Sequence, residues 1–392
     1  MKSIIQMTDM KETTCLTLSK AIRILAVLLG SLQLALVISQ YESFRFLIDI
    51  KAYSDAAYRY LNGYNPYEVV PRMFLYHPLA LQFFSLFGNH VKEACLFMYV
   101  LAIVAFFYSL IHYAKDSIYP AFLGAAYTGV GLSEIAGGNI TLPLHMSIMA
   151  ALAATIKSRS YSPIYMAVVL FAAIFKPYMI AYLFIPPAIS IRKDPEWIRR
   201  ARPIIYAVVV LVLVIAANYM LFPELNHEFI KAVATHTLIK GDLGQGVFVV
   251  FFKLTKDPQF ALILHLFVTS IIFIPILYKI TKRDDIPLEA RAFYFYFFFT
   301  MISPRLKEYD LAAALIALFI SFNRISIGML RDTVLFVGFG VSCLRLLTLY
   351  AQHENPMLVI SGFAFYLTVA ILTIGISIEF HRDKQGKTPA TS

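Results

Sequence analysis

The chain has 392 residues, of which 59% are hydrophobic and only 15% charged, and its mean hydropathy is +0.70. A soluble globular domain carries about a quarter of its residues as charges, so composition excludes that class and predicts a polytopic membrane protein. The net charge of +10 then reflects topology and headgroup attraction, and argues against nucleic acid as a partner.

Residues 1–20 are polar and precede the first apolar run without a small-residue cleavage site, so they read as a cytoplasmic segment before a retained anchor. Apolar runs recur at 21–40, 91–113, 117–134, 139–156, 162–175, 178–191, 203–222, 259–280, 289–302, 309–322, 333–352 and 356–380. Set against the roughly 20 residues needed to cross hydrocarbon, they predict an all-α bundle of about twelve transmembrane helices. One transmembrane domain over 21–380 is expected, followed by a cytoplasmic tail at 381–392. The runs at 162–175, 178–191, 289–302 and 309–322 are short and predict broken helices lining a protein cavity. The densest basic cluster, Arg192-Lys193 to Arg199-Arg200-Ala201-Arg202, belongs in a short cytoplasmic loop by the positive-inside rule. That places both termini inside and turns the two longest loops, about 41–90 and 223–258, outward. Cys15, Cys95 and Cys343 are scattered and form no disulfide or metal pattern.

The first outer loop carries structure of its own. Ile48, Ala52, Ala56 and Tyr60 recur at helical spacing, while Lys51, Asp55, Arg59 and Asn62 take other faces, which predicts an amphipathic helix over 48–61 on the membrane surface. Gly63 and Asn65-Pro66 end it. The stretch from Tyr76 to Gly88 is too short to span and predicts a re-entrant or interfacial helix. Asp49, just past a span and amid tyrosines and basic residues, suits a general base at the lipid–water boundary. A solvated loop carboxylate is the plainer alternative.

The pattern Asp49-x3-Tyr53-x2-Ala56-x4-Leu61-x-Gly63-x2-Pro66-Tyr67, followed by Tyr76-x-Pro78-Leu79-Ala80, resembles the first outer loop of glycosyltransferase family 87. Three further stretches are similar in the same order: Gly137-Gly138-Asn139-Ile140, Phe171-Ala172-Ala173-Ile174-Phe175-Lys176-Pro177, and Ile302-Ser303-Pro304-Arg305. Gly241-Asp242-Leu243-Gly244-Gln245-Gly246 is a looser match to a loop of that family. The resemblance implies a GT-C fold and transfer of a sugar, typically mannose, from a polyprenyl phosphate carrier. It also implies that Asp49 is the general base, with the configuration inverted by a single attack. The carrier-linked sugar is a substrate, so no cofactor is called for, and no metal is expected. The acceptor would be a glycolipid or a polysaccharide. The expected setting is the outer face of a bacterial cytoplasmic membrane.

Around Asp49, the candidate substrate-binding residues are Tyr53, Asp55, His77, Asn139, Lys176, Arg305 and Lys307. Asp55 is the rival carboxylate, or else the partner of Arg59 at i+4. Lys176, directly before Pro177 between apolar runs, either meets an anion or snorkels to the headgroups. Arg305 and Lys307 sit at an outer turn, where guanidinium forks suit phosphate oxygens; many family members instead carry Trp and His after the Ser-Pro. Asn139 bonds sugar hydroxyls or caps a helix. His77 contacts ligand or caps a turn. His145 is expected to bond a neighbouring helix more than to serve catalysis. Arg345 needs a partner in its span, Glu134 being one choice, and Asp284-Asp285 reads as solvated charge. A GT-C enzyme using another lipid-linked sugar, such as a pentose, is the nearest alternative. A secondary transporter is further off, because the chain shows no paired interrupted segments in two related halves.

Overall fold

A computed structural model describes residues 47–68, 74–113, 137–158, 162–190, 197–235, 247–282, 286–304, 310, 313, 314, 316, 317 and 320. The expected spans at 21–40, 117–134, 333–352 and 356–380, most of 309–322, and residues Glu134, Gly241 to Gly246, Asp284, Asp285, Arg305, Lys307 and Arg345 lie outside the described residues.

The described residues are helical, with no strand among them. The helices are α1 (Ile48–Leu61), α2 (Pro78–Ser85), α3 (Val91–Tyr113), α4 (Thr141–Ser158), α5 (Pro163–Phe175), α6 (Ile185–Ser190), α7 (Trp197–Leu221), α8 (Pro223–Ala234), α9 (Val247–Thr255), α10 (Pro258–Lys282) and α11 (Leu288–Met301). Three segments, Gly88–Phe106, Arg202–Leu221 and Pro258–Pro275, are long and apolar enough to cross a membrane. Their outer faces carry exposed Phe97, Val104, Leu213 and Ile263. Water penalises such apolar faces and lipid tails do not, as befits a membrane protein.

The short apolar runs at 162–175 and 178–191 form one interrupted helix, whereas the run at 289–302 is a continuous helix. The chain leaves α5 at Lys176, whose backbone is extended (φ −135°, ψ 94°), as expected before a proline. It then continues as a 3₁₀ segment over Pro177–Phe184 and enters α6. Eight residues is long for this tighter helix, which rarely exceeds 3–4 residues, so tertiary contacts must hold it. α5 packs on α4, which packs on α3, while α11 rests on α6 and α4.

α1 forms where the pattern predicts it, but its buried face is rotated. Ile50, Tyr53, Ala56 and Ala57 are buried, and of the expected stripe only Ala56 is among them. The helix packs on α2 and α3, so protein neighbours choose its face and the large Tyr53 ring is drawn inward. Its C-terminus closes as a Schellman motif: Tyr64 N–H donates to the Arg59 carbonyl at 2.8 Å and Gly63 N–H to the Tyr60 carbonyl at 3.1 Å. Gly63 supplies the positive φ of +74° that the motif needs.

The stretch after α7 contributes α8, which folds back onto the segment that follows α1. Asn65 Nδ2 donates to Glu228 Oε2 at 2.9 Å, and the Phe229 ring lies 5.8 Å from Tyr67 and 5.6 Å from His77. Buried Asn226 donates to the Asn218 carbonyl at 3.2 Å and to the Phe222 carbonyl at 2.9 Å, and Asn218 donates to Gln82 at 3.1 Å. Two segments far apart in sequence thus pack into one layer.

Candidate functional site

Asp49 sits in the first turn of α1, where the helix macrodipole favours an acidic side chain. The preceding residue but one, Leu47, is left-handed (φ 54°), a conformation that costs a non-glycine residue roughly 1–2 kcal/mol. Leu47 is the N-cap, its carbonyl accepting from Lys51 N–H at 3.0 Å, and this places Asp49 in the first turn.

A chain of hydrogen bonds ends on this carboxylate. Asn139 Nδ2 donates to Asp49 Oδ2 at 2.9 Å. The Tyr76 hydroxyl donates to Asn139 Oδ1 at 3.3 Å. Because the Tyr76 proton is committed there, Tyr53 is the donor in the 3.1 Å contact between the two hydroxyls, and Tyr53 accepts from Ile140 N–H at 3.2 Å. Every link therefore runs from donor to acceptor toward Asp49, the arrangement in which successive bonds strengthen one another. Burial pushes both tyrosine hydroxyls well above their ordinary 10.0, and the nearby Asp49 charge pushes the same way. Both remain protonated donors at neutral pH.

The rings bearing these hydroxyls are fixed by packing. Tyr53 stacks on Phe84 with centroids 4.8 Å apart, and Tyr76 meets Phe175 edge-on at 6.0 Å. Such pairs add roughly 0.5–1.5 kcal/mol beyond area burial. The Tyr67 hydroxyl holds the Tyr76 carbonyl at 3.0 Å.

Lys176 enters from the break after α5. Its Nζ lies over the Tyr76 ring, 5.7 Å from the centroid, within cation–π range. Asp49 and Lys176, 127 positions apart in sequence (176 − 49), are therefore joined through Asn139 and Tyr76. Beyond Lys176 lies a buried network in which the Tyr178 hydroxyl donates to Asp310 Oδ1 at 2.7 Å and His145 Nε2 lies 3.2 Å from the same oxygen. His145 bonds neighbouring helices, as its position predicts.

The expected site residues thus separate into groups. Asp49, Tyr53, Asn139 and Lys176 come together. Of its two expected roles Asn139 takes the helix cap, since its Oδ1 accepts from Thr141 N–H at 3.0 Å, while its amide reaches Asp49. Asp55 is exposed on another face of α1, and Arg59 turns to the Asn65 carbonyl at 2.9 Å and to Glu68 at 3.6 Å. His77 is the cap of α2: its Nδ1 accepts from Leu79 N–H at 3.2 Å. Tyr76, Tyr178 and Asp310 are the residues that sequence reasoning did not single out. For Tyr76 the signal was present in its place before Pro78; for Tyr178 and Asp310 only their polarity beside apolar runs could have pointed to them.

Gly138 lets this assembly close. Its φ is +74°, and a Cβ there would lie 2.8 Å from Ile50 Cγ1 and 3.1 Å from Leu47 Cδ2. Gly138→Ala is expected to cost about 1–3 kcal/mol through overpacking and left-handed strain. Thermal unfolding in detergent checks this. An unchanged midpoint would mean that α1 does not press on this turn.

His77 gives a pH dependence. Burial lowers its pKa from 6.5, so below that value the unfolded chain binds the proton more readily than the folded one. Stability is therefore expected to fall as pH drops below 6.5 and to level off below the folded-state pKa. His77→Asn, which keeps an N-cap acceptor without a titrating ring, is expected to flatten this slope in the thermal midpoint measured between pH 7 and pH 5.

No family model and no curated protein matches the chain.

Proposed function

We propose that the chain is an inverting glycosyltransferase of GT-C type, similar to family 87, that moves a sugar from a polyprenyl phosphate carrier to a glycolipid or polysaccharide at the outer face of a membrane. In this reading about twelve spans carry the site, both termini are cytoplasmic, and a bacterial cytoplasmic membrane is the setting. The donor sugar is a hexose, with mannose first.

The observation that supports it is the junction of Asp49 with Lys176 through Asn139 and Tyr76. Inverting transfer from a phosphate leaving group needs a base on one side of the anomeric carbon and positive charge on the other. Asp49 takes the proton of the acceptor hydroxyl as that oxygen forms its bond to the anomeric carbon. The bond to the carrier oxygen breaks, and its electron pair leaves with the phosphate toward Lys176. Asn139 holds the Asp49 carboxylate in one orientation, and the tyrosine chain behind it resists reorganisation. Arg305 and Lys307 are further cations for the carrier phosphate.

Mass spectrometry of membrane lipids and surface glycans from cells with and without the gene tests this. Loss of the gene is expected to remove a glycosylated species and to accumulate its acceptor one sugar shorter. Identical profiles in both lipid and glycan fractions would overturn the reading.

A further inference from the structure

His145 of α4 and Asp310 are wholly buried, so neither reaches a substrate. A buried carboxylate is costly unless fully partnered, and a purely structural core would be served as well or better by apolar side chains. The network around this one is extensive. Asp310 Oδ1 takes the Tyr178 hydroxyl at 2.7 Å and lies 3.2 Å from His145 Nε2, while His145 Nδ1 lies 2.5 Å from the Tyr296 hydroxyl. Tyr182 stacks on Tyr296, centroids 4.3 Å apart, and its hydroxyl meets Thr300 Oγ1 at 2.7 Å.

Its placement says what it serves. Tyr178 and Tyr182 both belong to the long 3₁₀ segment that follows the break at Lys176, so the network clamps that segment from α4, α11 and Asp310. Tyr178 is two residues from Lys176, and Met179 N–H donates to the Lys176 carbonyl at 2.9 Å, so the clamp acts on the backbone that carries the ammonium. Asp310 is also within electrostatic range of Lys176. In hydrocarbon surroundings a lysine without such company is expensive to keep charged.

We propose that Asp310, His145 and Tyr178 are positioning residues for Lys176, holding the break after α5 and biasing the ammonium toward the place where a lipid phosphate binds. This rests on the glycosyltransfer reading above.

The test measures binding of polyprenyl monophosphate, without sugar, to the full chain in nanodiscs, together with donor and acceptor KM and kcat and the thermal midpoint. Tyr178→Phe deletes one hydroxyl and keeps the ring; Asp310→Asn keeps shape and removes charge. Each is expected to weaken polyprenyl phosphate binding roughly ten-fold and to raise the donor KM, with the acceptor KM unchanged. Placed in a Lys176→Ala background, neither is expected to weaken binding further, because residues acting through one group do not add. If the wild type does not bind polyprenyl phosphate, the glycosyltransfer reading falls and this proposal with it. If the wild type binds and Lys176→Ala weakens binding, but Tyr178→Phe binds normally or its loss adds fully to that of Lys176→Ala, the positioning role alone is overturned. Should Asp310→Asn fail to fold, Tyr178→Phe decides.

Discussion

Asp49→Asn is expected to lower glycosyl transfer by roughly 10²–10⁴-fold while the fold and donor binding persist. The amide matches the carboxylate in size and keeps an oxygen that can accept from Asn139, whose Nδ2 lies 2.9 Å away, so the orientation of the side chain survives. What it loses is the capacity to take the acceptor's proton. Transfer from polyprenyl-phosphate mannose in nanodiscs, with thermal unfolding measured in parallel, separates the loss of chemistry from any loss of structure. Asp55→Asn serves as the comparison: Asp55 is exposed on another face of the helix, and its removal is expected to leave the rate within a few-fold, as for a surface substitution. Near-normal turnover in Asp49→Asn, or a dead Asp55→Asn, would sink the assignment of the base.

Lys176→Ala is expected to weaken donor binding by about one to two decades. A charge-assisted hydrogen bond to phosphate contributes about 1.5–3 kcal/mol, and each 1.4 kcal/mol is ten-fold. Loss of the ammonium over the Tyr76 ring also removes a cation–π contact of about 0.5–2 kcal/mol, which is expected to appear as a small drop in thermal midpoint. Lys176→Arg keeps the charge and is expected to recover part of the affinity, since a guanidinium also serves phosphate. Isothermal titration or scintillation proximity with the lipid donor reads binding in both variants, and thermal unfolding reads the midpoint. Normal binding in Lys176→Ala beside weakened binding in Arg305→Ala or Lys307→Ala would move the phosphate to the turn after Pro304.

The class of the protein was legible from composition alone, because a chain with so few charges and so many apolar residues has no stable alternative to lipid. Most helices of the described residues were legible from hydropathy and from the turn residues that bound them, as where α5 ends before Pro177 and Gly63 closes α1, whereas α8 and α9 lie in a stretch that reads as a loop. Asp49 stood out through its local pattern, and Asn139 through its place at a helix start. The face that α1 buries was not legible, since the spacing of Ile48, Ala52, Ala56 and Tyr60 is a real helical stripe, and only the neighbours α2 and α3 decide that Ile50 and Tyr53 turn inward instead. Nor was the meaning of Lys176, which in sequence is one basic residue between apolar runs. Its surroundings include a ring 100 positions earlier (176 − 76) and a carboxylate at Asp310, brought near by helices that share no local signal. Local propensity and hydropathy act over a few turns of chain and leave their mark in the sequence, whereas a hydrogen-bond network among distant polar groups exists only once packing has excluded water and left those groups no other partners.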